Sequence, residues 1–354
     1  MNSTYEPDYR NFLTAVRNQR PRRLPLYEHV INSESMEGIL DISFAEGLEG
    51  DQADRRHFFE SYCGFYRQMT YDTVSYEVCV TEMLPGGGAL LGERPGPIQN
   101  RSDFEQYPWS DLPRLFWEFA APKFEMFSAC LPPGMKGVGG VGNGVFEISE
   151  DLVGFQQLCY LQVDDPELFA ELYVKIGDLL ITLWSDFLQR FGDSYCVARI
   201  GDDMGFKTST LMAPQTLKQH VVPQYRRIIK LIHQSNYPFL LHSCGCIFDV
   251  MDDLIAAGID AKHSNEDAIA PFDNWIERYS DRIALLGGFD TDLLCRLQPQ
   301  QITDLVLEKG AEYRNTARGY ALGSGNSIPP YVRPENYLAM IHAAQQLRSR
   351  EQAS

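Results

Sequence analysis

At 354 residues, 44% of them hydrophobic and including 20 Phe and 18 Tyr, the chain can bury a large core and does not have the composition of a disordered segment. Its 31 basic and 48 acidic residues leave a formal charge of −17, which repels phosphate backbones and anionic membranes, so neither nucleic acid nor membrane is expected as a partner. No apolar run reaches the ~18 to 20 residues that cross a bilayer, and "MNSTYEPDYRNFLTAVRNQRPRR" lacks the apolar heart of a signal peptide, so a cytoplasmic location and eight reduced Cys are expected.

In chain order, residues 1–22 precede any strand signal and are expected to form a helical extension. Strands are expected at "RLPLYEHVI" (23–31) and "TVSYEVCV" (73–80). The stretch 81–133, rich in Gly, Pro and aromatics, is too long for an ordinary strand-to-helix loop and predicts an insertion over the mouth of the domain. From about residue 135, β-rich runs alternate with amphipathic helical patterns. The strand candidates are "MKGVGGVG" (135–142), "SYCVARIG" (194–201), "YPFLLHS" (237–243), "GIDAKHS" (258–264), "RIALLGG" (282–288) and "RGYALGS" (318–324). Helical runs such as "DPELFAELYVKIGDLLITLWSDFLQRFG" lie between them, several opened by Asp or Pro and closed by Gly. Eight strands and their helices predict an α/β fold, a single (β/α)8 TIM barrel over 23–354 with 81–133 inserted.

Chemistry in such a barrel gathers where the strands end. The polar residues expected there are Glu28, His29, Glu77, Asn143, Glu147, Asp202, Asp203, His242, Cys244, His263, Asn265, Glu266, Asp290, Ser324 and Asn326. His242 and Cys244 are two residues apart, so on a strand both point to one side, where an imidazole nitrogen and a thiolate can hold one zinc ion. A catalytic zinc takes three protein ligands, and the candidates for the third are Cys295, His263, Cys246 and Glu147. Asp202 and Asp203 in "GDDMGF" can share a proton, hold a metal or grip an amine. "GGVGNG" and "PGGG" match no nucleotide-binding fingerprint and read as tight turns.

The motifs "GDDMGFKT", "LLHSCG", "IDAKHSNE", "LLGGFDT" and "GSGNSIPPYVRPENY", in this order, resemble the uroporphyrinogen decarboxylase superfamily over roughly residues 70–345. The resemblance implies a barrel enzyme of one of two kinds. The porphyrinogen decarboxylases carry an arginine-rich motif near the first strand, whereas here Arg20, Arg22 and Arg23 precede that strand. The zinc-dependent corrinoid methyltransferases carry an H-x-C element, which maps onto His242 and Cys244. That branch implies zinc and a methyl group moved between a small-molecule donor or acceptor and a corrinoid. The chain has no D-x-H-x-x-G element, so the corrinoid is expected on a partner protein. Where methyltransferases of the coenzyme M type have a further Cys after the last strand, this chain has Ser324, and Cys295 is the favoured replacement. The expected assignment is therefore His242, Cys244 and Cys295 as metal ligands; Asp202, Asp203, His263 and Asp290 as catalytic residues; and Asn143, Glu147, Asn265, Glu266 and Asn326 as substrate-binding residues. The alternative is a decarboxylase-like enzyme for a porphyrinogen or a smaller carboxylate.

Overall fold

The computed structural model describes residues 5–353; the first four residues of the expected N-terminal extension lie outside the described residues. Seven parallel strands follow one another in a single curled sheet: β1 (Thr73–Cys79), β2 (Lys136–Gly142), β3 (Tyr195–Gly201), β4 (Phe239–His242), β5 (Ala261–His263), β6 (Ala284–Phe289) and β7 (Tyr320–Ser324). The pairing is in sequence order throughout, as right-handed strand–helix–strand units require. Each of the seven lies within a run expected from the sequence to be a strand.

The expected strand at 23–31 is not a regular strand. It meets β7 through one parallel bridge, Leu26 to Leu322, with Tyr27 N donating to Leu322 O and Leu322 N to Pro25 O. Pro25 has no N–H to give. On the β1 side the carbonyls are claimed by side chains, Glu28 O by Ser75 Oγ at 2.5 Å and His29 O by Arg199 Nη1 at 2.7 Å. The segment therefore lies along the β7 edge, tied to β1 and β3 through side chains rather than by a β-ladder.

Within the stretch 81–133, the helix Leu112–Cys130 connects β1 to β2. Residues 84–100 form no α-helix or strand and are fastened to the helix Val145–Val153, with Gly88 N and Leu90 N donating to Asp151 Oδ1 and Ile98 N to Leu152 O.

Side chains alternate across each strand, and that alternation places the site. On β4, Phe239 and Leu241 join the core between sheet and helices, while Leu240 joins a second apolar cluster with Val138, Val197, Ala261, Ala284, Leu286 and Ala321. Phe12 and Val16 of the helix Arg10–Val16 complete this second cluster, and Phe12 stacks on Tyr27 at 5.4 Å. One step further along the same face come Arg199, His242 and His263, so an apolar layer underlies a polar one. The outer core contains Trp184 and Phe187, which pack onto β2 where Gly140 (φ 123°) has no side chain; a Cβ there would come within 2.7 Å of the indole. No helix among the described residues is long and apolar enough to cross a membrane.

Candidate active site

The loops after β3 and β4 touch backbone to backbone. Gly245, at φ 78°, lies so close to Gly205 that a Cβ on it would fall 2.2 Å from Gly205 C, and Cys246 N donates to Phe206 O at 2.6 Å. This contact sets Asp203 beside Cys244: Cys244 N donates to Asp203 Oδ1 at 2.8 Å. His242 closes β4 with its Nε2 3.4 Å from Cys244 Sγ and 3.9 Å from Asp203 Oδ1. The donor atoms of Asp203, His242 and Cys244 all lie within 4.8 Å of one another.

Behind this trio stands a buried imidazole pair. His263 Nε2 is 3.0 Å from the main-chain O of Ser324, and its Nδ1 is 2.8 Å from His242 Nδ1. Tyr27 packs edge-on against His263, with ring centroids 5.0 Å apart. His29 stacks flat on His242, centroids 3.6 Å apart and planes 7° from parallel. Burial, with Arg199 close by, holds all three imidazoles below their ordinary range, His263 down to about 3. Arg199 is itself buried and is neutralised by Glu77, 2.9 Å away, with further bonds to Tyr27 Oη and His29 O. The three buried His also bring their nitrogens within 4.8 Å. However, in-plane lone pairs of parallel stacked rings run side by side and do not converge on one ion, so His29 and His242 cannot share a metal in this arrangement.

The Asp203–His242–Cys244 trio suits zinc in ligand type: one nitrogen, one sulfur and one oxygen, with Asp203 half exposed toward solvent. Burial, with Asp203 adding to it, pushes the Cys244 thiol up to about 12, so a cation beside the sulfur is what would let it ionise at neutral pH. Asn326 Nδ2 at 3.3 Å and Ser264 Oγ at 3.6 Å both point donors at that sulfur.

Several expected residues serve other ends. Cys295 lies outside the trio: it sits on the helix Thr291–Arg296, whose Leu294 is buried, and packs against the outer core. Ser324 is the outward neighbour of an inward position, and its Oγ is bonded to Glu28 and Asn326 O, not aimed at Cys244. Asp202, fully buried, accepts Phe146 N, Glu147 N and Tyr225 Oη, so it caps the helix Val145–Val153 instead of facing the cleft. Asp290 caps Thr291–Arg296 through Asp292 N and also accepts Asp267 N. Asn265 Oδ1 accepts Gly288 N, and the backbone O of Glu266 closes the following turn. Asn143 (φ 65°) accepts Thr81 N and Oγ1 and donates to Glu147 Oε2, while Glu147 Oε1 accepts Asp203 N at 3.2 Å. Glu147 thus orders the backbone beside the trio, its carboxyl raised by burial and by Asp202 and Asp203.

Arg199 and Lys262 escaped the sequence reading. Arg199 is a lone cation inside the apolar run "CVARI", and that is the signal that could have found it; Lys262, between Ala261 and His263 in "DAKHS", has no such apolar context. Lys262 lies on the face of β5 opposite His263, its ammonium 3.9 Å from the centre of the Trp275 ring and bonded to Ser264 O.

A curled sheet of seven parallel strands with its helices, and a mixed N, S, O donor set at the strand ends, is a scaffold of the enzyme type. The sequence profile of the uroporphyrinogen decarboxylase (URO-D) family matches residues 113–347, more than half of the chain, and the protein belongs to that family. Among solved structures, a methyltransferase from Methanosarcina mazei superposes with a TM-score of 0.76 at 16% identity, covering 96% of this chain and 99% of that one. A B12-independent methionine synthase from Shewanella sp. W3-18-1, in complex with selenomethionine, gives 0.53 at 10% identity, over 95% of this chain and 97% of that one. At these identities the likeness is one of fold. No curated protein matches the chain.

Proposed function

We propose that the protein is a zinc-dependent methyltransferase that moves a methyl group between a small molecule and a corrinoid carried by a partner protein. The observation that carries this reading is the convergence of His242 Nε2, Cys244 Sγ and Asp203 Oδ1 at the strand ends, with one side of the trio open. Zinc bound there supplies Lewis acidity, lowering the pKa of a thiol or polarising the heteroatom that carries the methyl group. The chain's own residues supply the rest. Asp203 is fixed by Cys244 N, Asn326 and Ser264 orient the sulfur, and the stacked His29 shields one face of His242 from water.

A porphyrinogen with many carboxylates fits poorly. Two buried cations of the strands are already engaged, Arg199 with Glu77 and Lys262 with Ser264 O and the Trp275 ring, whereas Asp203 presents a half-exposed carboxylate. The testing experiment offers zinc-loaded protein two substrates: methylcobalamin with a panel of small thiols, and uroporphyrinogen. Thiol-dependent demethylation, lost in Cys244→Ala, is expected, together with negligible porphyrinogen turnover. Efficient conversion of uroporphyrinogen without demethylation overturns the reading in favour of a decarboxylase.

A further inference from the structure

We propose that His263 is a positioning residue that selects the tautomer of His242 and thereby aims the lone pair of Nε2 at Cys244 and Asp203. The inference rests on the zinc reading above only for its consequence; the tautomer itself follows from hydrogen-bond geometry. A main-chain carbonyl accepts and cannot donate, so His263 Nε2, 3.0 Å from Ser324 O, carries a hydrogen. Between His263 Nδ1 and His242 Nδ1, at 2.8 Å, one hydrogen fits: two would collide, and none would leave two lone pairs facing each other. If that hydrogen belonged to His263, the ring would carry an N–H on both nitrogens and be a cation, wholly buried, with the Arg199 guanidinium in the same polar layer and Tyr27 edge-on against it. It therefore belongs to His242. A neutral His242 protonated on Nδ1 is bare on Nε2, the atom 3.4 Å from Cys244 Sγ and 3.9 Å from Asp203 Oδ1.

The chain of bonds Ser324 O, His263 and His242 thus fixes both rotation and tautomer of the metal-facing ring. Hydrogen-bonded partners of this kind are worth roughly 10- to 100-fold in metal affinity. The sheet explains why the relay forms: His242 and His263 are register partners on adjacent parallel strands, so both rings project to the same side at the same height.

The test begins with wild-type, metal-free protein labelled with 15N-histidine. Two-bond 15N–1H correlation spectra should show the Nδ1–H tautomer for His242 and the Nε2–H tautomer for His263; a His242 protonated at Nε2 would overturn the proposal. Competition for zinc against a chelator follows, in His263→Leu and His263→Asn. The Leu variant should lose about 10- to 100-fold in affinity. The Asn variant, whose amide O can accept from His242 Nδ1–H, should recover most of that loss and keep the His242 tautomer. Equal losses in both variants, with the tautomer unchanged in both, would leave His263 a packing residue and overturn the inference. Should wild type bind no zinc at all, the proposed function fails, while the spectra still decide the tautomer.

Discussion

Glu28 lies on the outward face of the segment 23–31, wholly enclosed, with Ser324 N donating to Oε1 and Ser324 Oγ bonded to Oε2. Burial raises its carboxyl from an ordinary 4.5 to about 8, and the bonds from Ser324 offset only part of that cost. Near neutral pH the carboxyl O–H donates to Ser324 Oγ, which leaves the serine hydrogen free for Asn326 O at 2.6 Å. The folded chain thus holds a proton that the unfolded chain has already released between those two values. This group's contribution to stability is fully present below pH 4.5 and is lost as pH rises through about 8. Glu28→Gln keeps the shape and cannot ionise. Denaturant titrations from pH 5.5 to 8 should therefore show wild type losing stability relative to the variant, by at most roughly 1.4 kcal/mol per pH unit. A gap that does not change with pH would refute the assignment of the proton to Glu28.

At the scale of elements, the strands were legible because parallel strands buried on both faces read as compact apolar runs closed by polar residues. "YPFLLHS" became β4 and "GIDAKHS" became β5; β4 ends at His242, and Cys244, in the loop beyond it, has its Sγ 3.4 Å from His242 Nε2. Two features were not legible. The segment 23–31 has the composition of a strand, but whether its carbonyls meet a neighbouring backbone or the side chains of Ser75 and Arg199 depends on residues more than 40 positions away. The pair Asp202–Asp203 reads as two equivalent acids, yet successive residues leaving a strand face opposite ways. Asp203 reaches His242 and Cys244, whereas Asp202 turns under the helix Val145–Val153. Asp202→Ala strands two buried N–H groups and the Tyr225 hydroxyl, so a loss of about 3 kcal/mol in denaturant stability is expected, with zinc affinity little changed at temperatures where the variant is folded. A variant as stable as wild type but catalytically dead would instead return Asp202 to the catalytic group.

For the whole molecule, the curled sheet separates two jobs along the direction of its strands. The helix Arg10–Val16 and the apolar layer above it close one end, and the polar layer of Arg199, His242 and His263 opens toward the other. The URO-D family membership and the overall fold leave the reaction to the strand ends, where this chain combines H-x-C with Asp203 and has Ser324 turned away. Zinc content is the most direct measure of that account. Purified protein should carry about one zinc per chain. His242→Ala and Cys244→Ala should each lose most of it, Asp203→Ala should bind more weakly, and Cys295→Ser should match wild type. Full zinc occupancy retained in both the His242 and Cys244 variants, or lost in the Cys295 variant, would contradict it.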